Sequence, residues 1–175
     1  MLETRRLLLR RWRDSDREAF AALNGDPRVM QHFPAVLSRA ESDRIIDRIE
    51  SHFDKHGFGL FAAELRQEGG FIGFVGLSIP DFEAPFTPCV EIGWRLAAEY
   101  WNQGLATEGA KAVLGYAFDS LHLDEVVSFT TVANASSRRV MEKLGMARSP
   151  EDDFDHPKLP EGHPLRRHVL YRISQ

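Results

Sequence analysis

A single join limits the fold more than any other stretch of the chain. An apolar run, CVEIGWRL (89–96), passes through WNQGLATEGA (101–110) into a segment where Ala106, Ala110, Val113, Leu114, Ala117, Phe118 and Leu121 recur at helical spacing. Beyond it, EVVSFTTV (125–132) reads as a strand again. Strand, helix and strand in that order predict a right-handed crossover between two parallel strands. A helix start leaves about four backbone N–H groups without partners and gathers roughly half a positive charge. Gly104 and Ala106 strip side-chain bulk from that start, while Gln103 and Thr107 offer side-chain donors. The join therefore suits an anion, most simply a pyrophosphate, although a glycine placed only for turn geometry fits the same pattern. No lysine followed by serine or threonine comes after the glycines, and there is no three-glycine dinucleotide fingerprint. ATP, GTP and NAD lose ground to a phosphate-bearing carrier that needs only backbone donors.

The rest of the chain arranges itself around this unit. Residues 5–12 read as a first strand, and Asp14 or Ser15 offers an N-cap to a helix ending near Leu23. Ser38 and Glu41 form a capping box, opening a helix with Ile45, Ile46, Ile49 and Phe53 on one face and Gly57 beyond its end. FGLFAAEL (58–65) and FIGFVGLSI (71–79) are strands of a hairpin with RQEGG at its loop. CVEIGWRL is then the fourth strand and EVVSFTTV the fifth, followed by a helix from Ala135 to about Leu144. SPEDDFDHPKLPEGHP (149–164) reads as irregular until RRHVLYRI (166–173) supplies a last strand. This order predicts one α+β domain over residues 1–175, with helices covering a mixed, largely antiparallel sheet.

Composition narrows the function classes. At 175 residues the chain fits one domain, and its net charge of −4 disfavours non-specific nucleic-acid binding. The arginines Arg5, Arg6, Arg10, Arg11 and Arg13 read as a solvated edge strand rather than an RNA contact. The N-terminal apolar run of three leucines is too short for a signal peptide or membrane helix, so a cytoplasmic location and no membrane partner are expected. One cysteine, Cys89, excludes an internal disulfide framework.

A second constellation follows the fifth strand, in NASSRRVMEKLGM (134–146). Asn134 is a good N-cap whose amide can bond the Ser137 N–H or a ligand. Ser137 shares a helix face with Val140, Met141 and Leu144, which turns its hydroxyl toward the strand ends. The alternative, a first-turn hydroxyl satisfied by helix backbone, stands equally open.

Taken together, TRRLLLRRWRDSD, EIGWRLAAEYWNQGLATEGAKAVLGYAF and NASSRRVMEKLGM resemble the GNAT superfamily of acetyl-CoA-dependent N-acetyltransferases, and more closely its RimJ/RimL-like branch. The resemblance covers nearly the whole chain. It departs from the superfamily at Trp101, where a Gln or Arg usually opens the phosphate motif. It implies a twisted sheet of about seven strands and about four helices, splayed between strands four and five to admit acetyl-CoA or coenzyme A. Backbone groups of Trp94, Arg95 and Leu96 are then expected to hold the pantetheine arm. Amides of Asn102, Gln103, Gly104, Leu105, Ala106 and Thr107 are expected at the pyrophosphate, Asn134 at the pantetheine amides and Ser137 near the sulfur. Arg139 and Lys143 either reach the adenosine phosphates or remain solvated.

The chemistry implied is direct attack of an amine on the thioester. An N–H near Gly93 or Trp94 would be the oxyanion donor, Ser137 the acid and Glu91 the base, with His168 as a second candidate base. The alternative for Glu91 is an ion pair with Arg95. His32 and Phe33 lie where the family builds its acceptor wall. Asp152, Asp153 and Asp155 are candidates to draw in an amine. His156, His163 and His168 invite a metal, but their spacing disfavours one, and none is expected. A covalent route through Cys89 is chemically open but disfavoured. The acceptor, whether peptide N-terminus, polyamine or small-molecule amine, stays open, as does the choice of monomer or homodimer. A coenzyme A sensor without turnover is the competing class.

Overall fold

A computed structural model describes all 175 residues. The elements are β1 (Leu2–Glu3), β2 (Leu7–Arg10), α1 (Asp16–Gly25), α2 (Arg39–His56), β3 (Leu60–Leu65), β4 (Phe71–Ser78) and β5 (Glu91–Leu96). Then come α3 (Leu105–Gly115), β6 (Glu125–Thr131), α4 (Ala135–Lys143), β7 (Ala147–Arg148), β8 (Phe154–Asp155) and β9 (Arg167–Ser174). The sheet runs β1-β2-β3-β4-β5-β6-β9-β7, with β8 also pairing β9. Only β5 and β6 are parallel, and α3 connects them, as the strand–helix–strand pattern requires.

The sheet has nine strands, three more than the six that the hydrophobic pattern marks. The added three, β1, β7 and β8, are two residues each, too short to show a period of two. The segment 149–164 is correspondingly less irregular than expected, because Phe154 and Asp155 pair with His168 and Arg167. The first strand is shorter than residues 5–12, and β2 is not an edge, since β1 and β3 flank it. Its arginines are not merely solvated: Arg10 is buried and gives two hydrogen bonds to Asp16 and one to Glu64. Ser15 makes no side-chain cap on α1; Asp16 Oδ2 instead accepts the Arg13 N–H at 2.8 Å.

Helices cover both faces. Gly109 of α3 lies against Val75 and Leu7, where an added Cβ would stand 3.2 and 3.3 Å from their methyl carbons. On the opposite face, Phe20 of α1 packs its ring against Phe71, Phe74 and Trp12. Phe71 and Phe74 share that face although they are three positions apart, because the β3–β4 register slips between Ala63 and Glu64. Gly73 makes the slip possible: its φ is 139°, and a Cβ there would fall 2.1 Å from the Arg95 carbonyl oxygen. The α2 capping box forms, with Ser38 Oγ accepting from the Glu41 N–H at 3.3 Å and Glu41 accepting from the Ser38 N–H at 2.8 Å. A smaller apolar cluster of Val127, Phe154 and Leu170, joined by Phe82, Phe86 and Phe129, fills the far side of the β6–β9 pair. No helix is long and apolar enough to cross a membrane.

Candidate active site

The site begins where the sheet stops being a sheet. β5 and β6 share one bridged pair, Glu91 with Val127, supported by the Val127 N–H to Val90 O bond of 2.9 Å. Ser128 Oγ adds a bond to Ile92 O at 2.9 Å, and beyond it the strands diverge. Ala97 donates to Ile72 of β4, so by strand alternation Arg95, Gly93 and Glu91 turn their backbone groups toward β4. Ile92, Trp94 and Leu96 turn theirs toward the gap. Leu96 O is taken by the Trp101 indole N–H at 2.8 Å, which leaves Trp94 with both backbone groups free in the gap. Of the three residues expected along a pantetheine arm, Trp94 offers two groups, Leu96 one, and Arg95 none from its backbone. A chamber of about 1140 Å³ opens there.

At one end of the chamber lies the turn into α3. Asn102 and Gly104 both have positive φ, 58° and 75°, and no side chain caps the helix. The N–H groups from Asn102 to Thr107 find no acceptor in the chain; Glu108 is the first to do so, bonding Gly104 O at 3.0 Å. These are stacked donors of the kind that hold phosphate oxygens. Gln103 does not line the chamber as expected; one of its two amide N–H groups bonds Glu99 O at 2.9 Å. Trp101 contributes by pinning the turn to the end of β5.

Across the gap stands α4. Asn134 caps it, Oδ1 accepting the Ser137 N–H at 3.2 Å, while Nδ2 donates to Thr130 Oγ1 at 2.9 Å. One lone pair and one N–H of that amide remain for a ligand. The Ser137 hydroxyl is not taken by helix backbone; it lines the chamber with no hydrogen bond in the chain. Arg139 and Lys143 line the same wall.

The titratable groups gather at the other end. Glu91 does not pair with Arg95. Its carboxylate leans over Gly93, Oε1 standing 4.0 Å from where a Cβ would be, and its one bond is a long one from Ser78 Oγ at 3.5 Å. Burial raises it to about 8, with the Ser78 hydroxyl pulling weakly the other way. His168 is buried and lowered by that burial; its Nδ1 faces Arg166 O at 3.0 Å, which fixes the proton there and leaves Nε2 as a lone pair. His156 is pushed down to about 4, chiefly by burial and then by His168. Cys89 is pushed up to about 11 by burial, so little thiolate exists for a covalent route. No three metal-binding side chains come together anywhere in the chain.

Residues 6–147 match the family model described as "Acetyltransferase (GNAT) domain". The chain belongs to the GNAT acetyltransferase family. The chain is 28% identical over 175 residues to the uncharacterized N-acetyltransferase YnaD of Bacillus subtilis, covering 99% of this chain and 96% of that one. A GNAT-family acetyltransferase structure from Bacillus anthracis superposes with a TM-score of 0.80 at 27% identity, covering 99% of this chain and 97% of that one. A ribosomal-protein alpha-N-acetyltransferase, RimL, in complex with coenzyme A, shares the fold with a TM-score of 0.76 at 16% identity, covering 98% and 95%.

In this acetyl-CoA-dependent N-acetyltransferase, several residues that shape the site left no local signal. Arg6 donates to Gln103 O at 2.9 Å and to Glu108 at 2.6 Å, placing a cation beside the α3 turn from 97 residues away in sequence. Nothing near Arg6 distinguishes it from its arginine neighbours. The acidic tail of the acetyltransferase is already neutralised: Asp152 pairs with Arg172, Asp153 with Arg148, and Asp155 with Arg166 and Arg167. Those carboxylates are structural partners rather than free lures for an amine. His32 and Phe33 do line the chamber, as do His156 and His168.

Proposed function

We propose that the enzyme moves an acetyl group from acetyl-CoA to the neutral amine of a small molecule or a peptide N-terminus by direct attack, without an acyl-enzyme. The observation that carries this reading is the gap at Trp94, whose N–H and C=O have no strand partner on the β6 side. An extended amide-bearing arm can pair there as a short guest strand, while the unpartnered Asn102–Thr107 amides receive its phosphates. The thioester carbonyl then meets the Trp94 N–H, which stabilises the negative charge that grows on oxygen.

The amine nitrogen bonds the carbonyl carbon as its proton leaves toward Glu91, directly or through one water. His168 Nε2 is the second acceptor within the same chamber. The C–S bond breaks with its electron pair on sulfur, and the Ser137 hydroxyl, free of any other partner, hydrogen-bonds or protonates the thiolate. Products are the acetylated amine and the free thiol.

Thiol release from acetyl-CoA over a panel of primary amines, with isothermal calorimetry of coenzyme A alongside, tests the reading. Release that requires an amine is the expected result. Heat of binding with no release for any amine would leave a sensor instead. Ser137→Ala should lower kcat about tenfold with little change in coenzyme affinity; equal losses in both would make Ser137 a binding residue.

A further inference from the structure

A buried arginine and a half-buried one, Arg10 and Arg95, are treated in opposite ways. Arg10 is surrounded by carboxylates, Asp16 and Glu64, at 2.7 to 2.9 Å, which is how a fold compensates a guanidinium taken out of water. Arg95 lines the chamber and has no carboxylate at all. Its only hydrogen bond is from Nη1 to Asn24 Oδ1 at 2.6 Å, and its Nε is buried with no partner. Asn24 is itself fully buried and held by a bond to the fully buried Ser42 at 2.9 Å, so the arginine is aimed by a fixed relay of neutral groups. The rings of Phe33 and Phe74 lie 4.2 and 5.5 Å from its central carbon. Aromatic faces hold a guanidinium by its planes and leave its N–H edge for an in-plane acceptor.

The surroundings do not supply that acceptor. Glu91, on the same strand face, bonds Ser78 and makes no ion pair with Arg95. Lys158, across the chamber, is engaged by Asp81, and His156 and His168 are neutral. Thr131 Oγ1, also in the chamber wall, is a second buried polar atom without a partner. With the buried Glu91 carboxyl keeping its proton near neutral pH, this end of the chamber is positive and short of anions. Gly93 and Arg95 are two residues apart on a strand, about 6.6 Å, so one small molecule spans the thioester position and the guanidinium.

Resting on the acetyl-transfer reading above, we infer that the acceptor carries a carboxylate close to its amine and that Arg95 is the residue that recognises it. Free α-amino acids and peptides with an acidic first residue share this chemistry; a polyamine does not.

Near neutral pH, steady-state kinetics compare the common α-amino acids with their carboxamides and decarboxylated amines, and Asp-initiated with Asn-initiated dipeptide amides. In the wild type, kcat/KM for the carboxylate member should exceed its carboxamide by about tenfold or more, and the arm showing this names the source. In Arg95→Met the ratio should fall to near one, and in Arg95→Lys it should be intermediate. Equal values for acid and carboxamide in the wild type, a polyamine preferred over both, or a ratio kept in Arg95→Met would overturn the inference. If Arg95→Met does not fold, the wild-type ratios decide alone. If no amine releases thiol, the transfer reading fails separately, and calorimetry on the coenzyme A-bound wild type still judges Arg95. Binding of amino acids over their carboxamides then supports it, and equal or absent binding refutes it.

Discussion

Glu91, the proposed base, combines two properties that pull against each other: a place beside Gly93 in the chamber and an environment that keeps its proton. Because burial raises it to about 8, most molecules at neutral pH hold the acid form, and the basic form grows as pH rises through that value. Glu91→Gln should cut kcat by about a hundredfold, and the ratio of wild-type to variant rates should rise as pH passes through about 8. The same carboxyl has a signed effect on stability. Its folded value lies above the ordinary carboxylate 4.5, so its favourable contribution is complete below 4.5 and is lost as pH rises to about 8. Thermal melts should therefore show Glu91→Gln gaining on the wild type between pH 5 and 8, then holding level. Parallel curves would place Glu91 in contact with water. The sequence pointed to this residue only through family likeness. Whether it paired with Arg95 was undecidable there, because the answer depends on Asn24, 71 positions away from Arg95.

The α3 turn was readable at the level of an element because its determinants are local: glycine at a left-handed position, then apolar residues at helical spacing. The backbone supports that reading with φ of 75° at Gly104. An added Cβ would meet only Arg6 Nη2, at 3.7 Å, so Gly104→Ala has room but not the right dihedral. A left-handed non-glycine residue costs about 1–2 kcal/mol. The variant should fold, melt lower by that amount in chemical denaturation, and bind coenzyme A several-fold more weakly because relief of strain turns the amides away. Unchanged affinity would reduce the turn to a connector. What escaped notice at this scale has an equally physical cause. The two-residue strands β7 and β8 carry no alternation of their own, and they exist only because β9 offers them an edge.

Across the whole molecule, the covered sheet and the crossover were legible, since hydrophobic spacing encodes which faces are buried. The charge network was not, because ion pairs join residues far apart along the chain. Arg10 ties β2 to α1 through Asp16 and to β3 through Glu64, and both Arg10 and Asp16 are buried. Removing one charge leaves the other stranded, so Asp16→Asn should lose about 3 kcal/mol or more of unfolding free energy in urea. A loss under 1 kcal/mol would show that water reaches the pair. The divided sheet carries a consequence of its own. With one bridged pair and the Ser128 hydroxyl closing β5 against β6, the two leaves are sewn together by very little thread. A coenzyme laid in the seam as proposed would add the missing stitches, so the melting temperature of the enzyme should climb with the concentration of the acetyl donor.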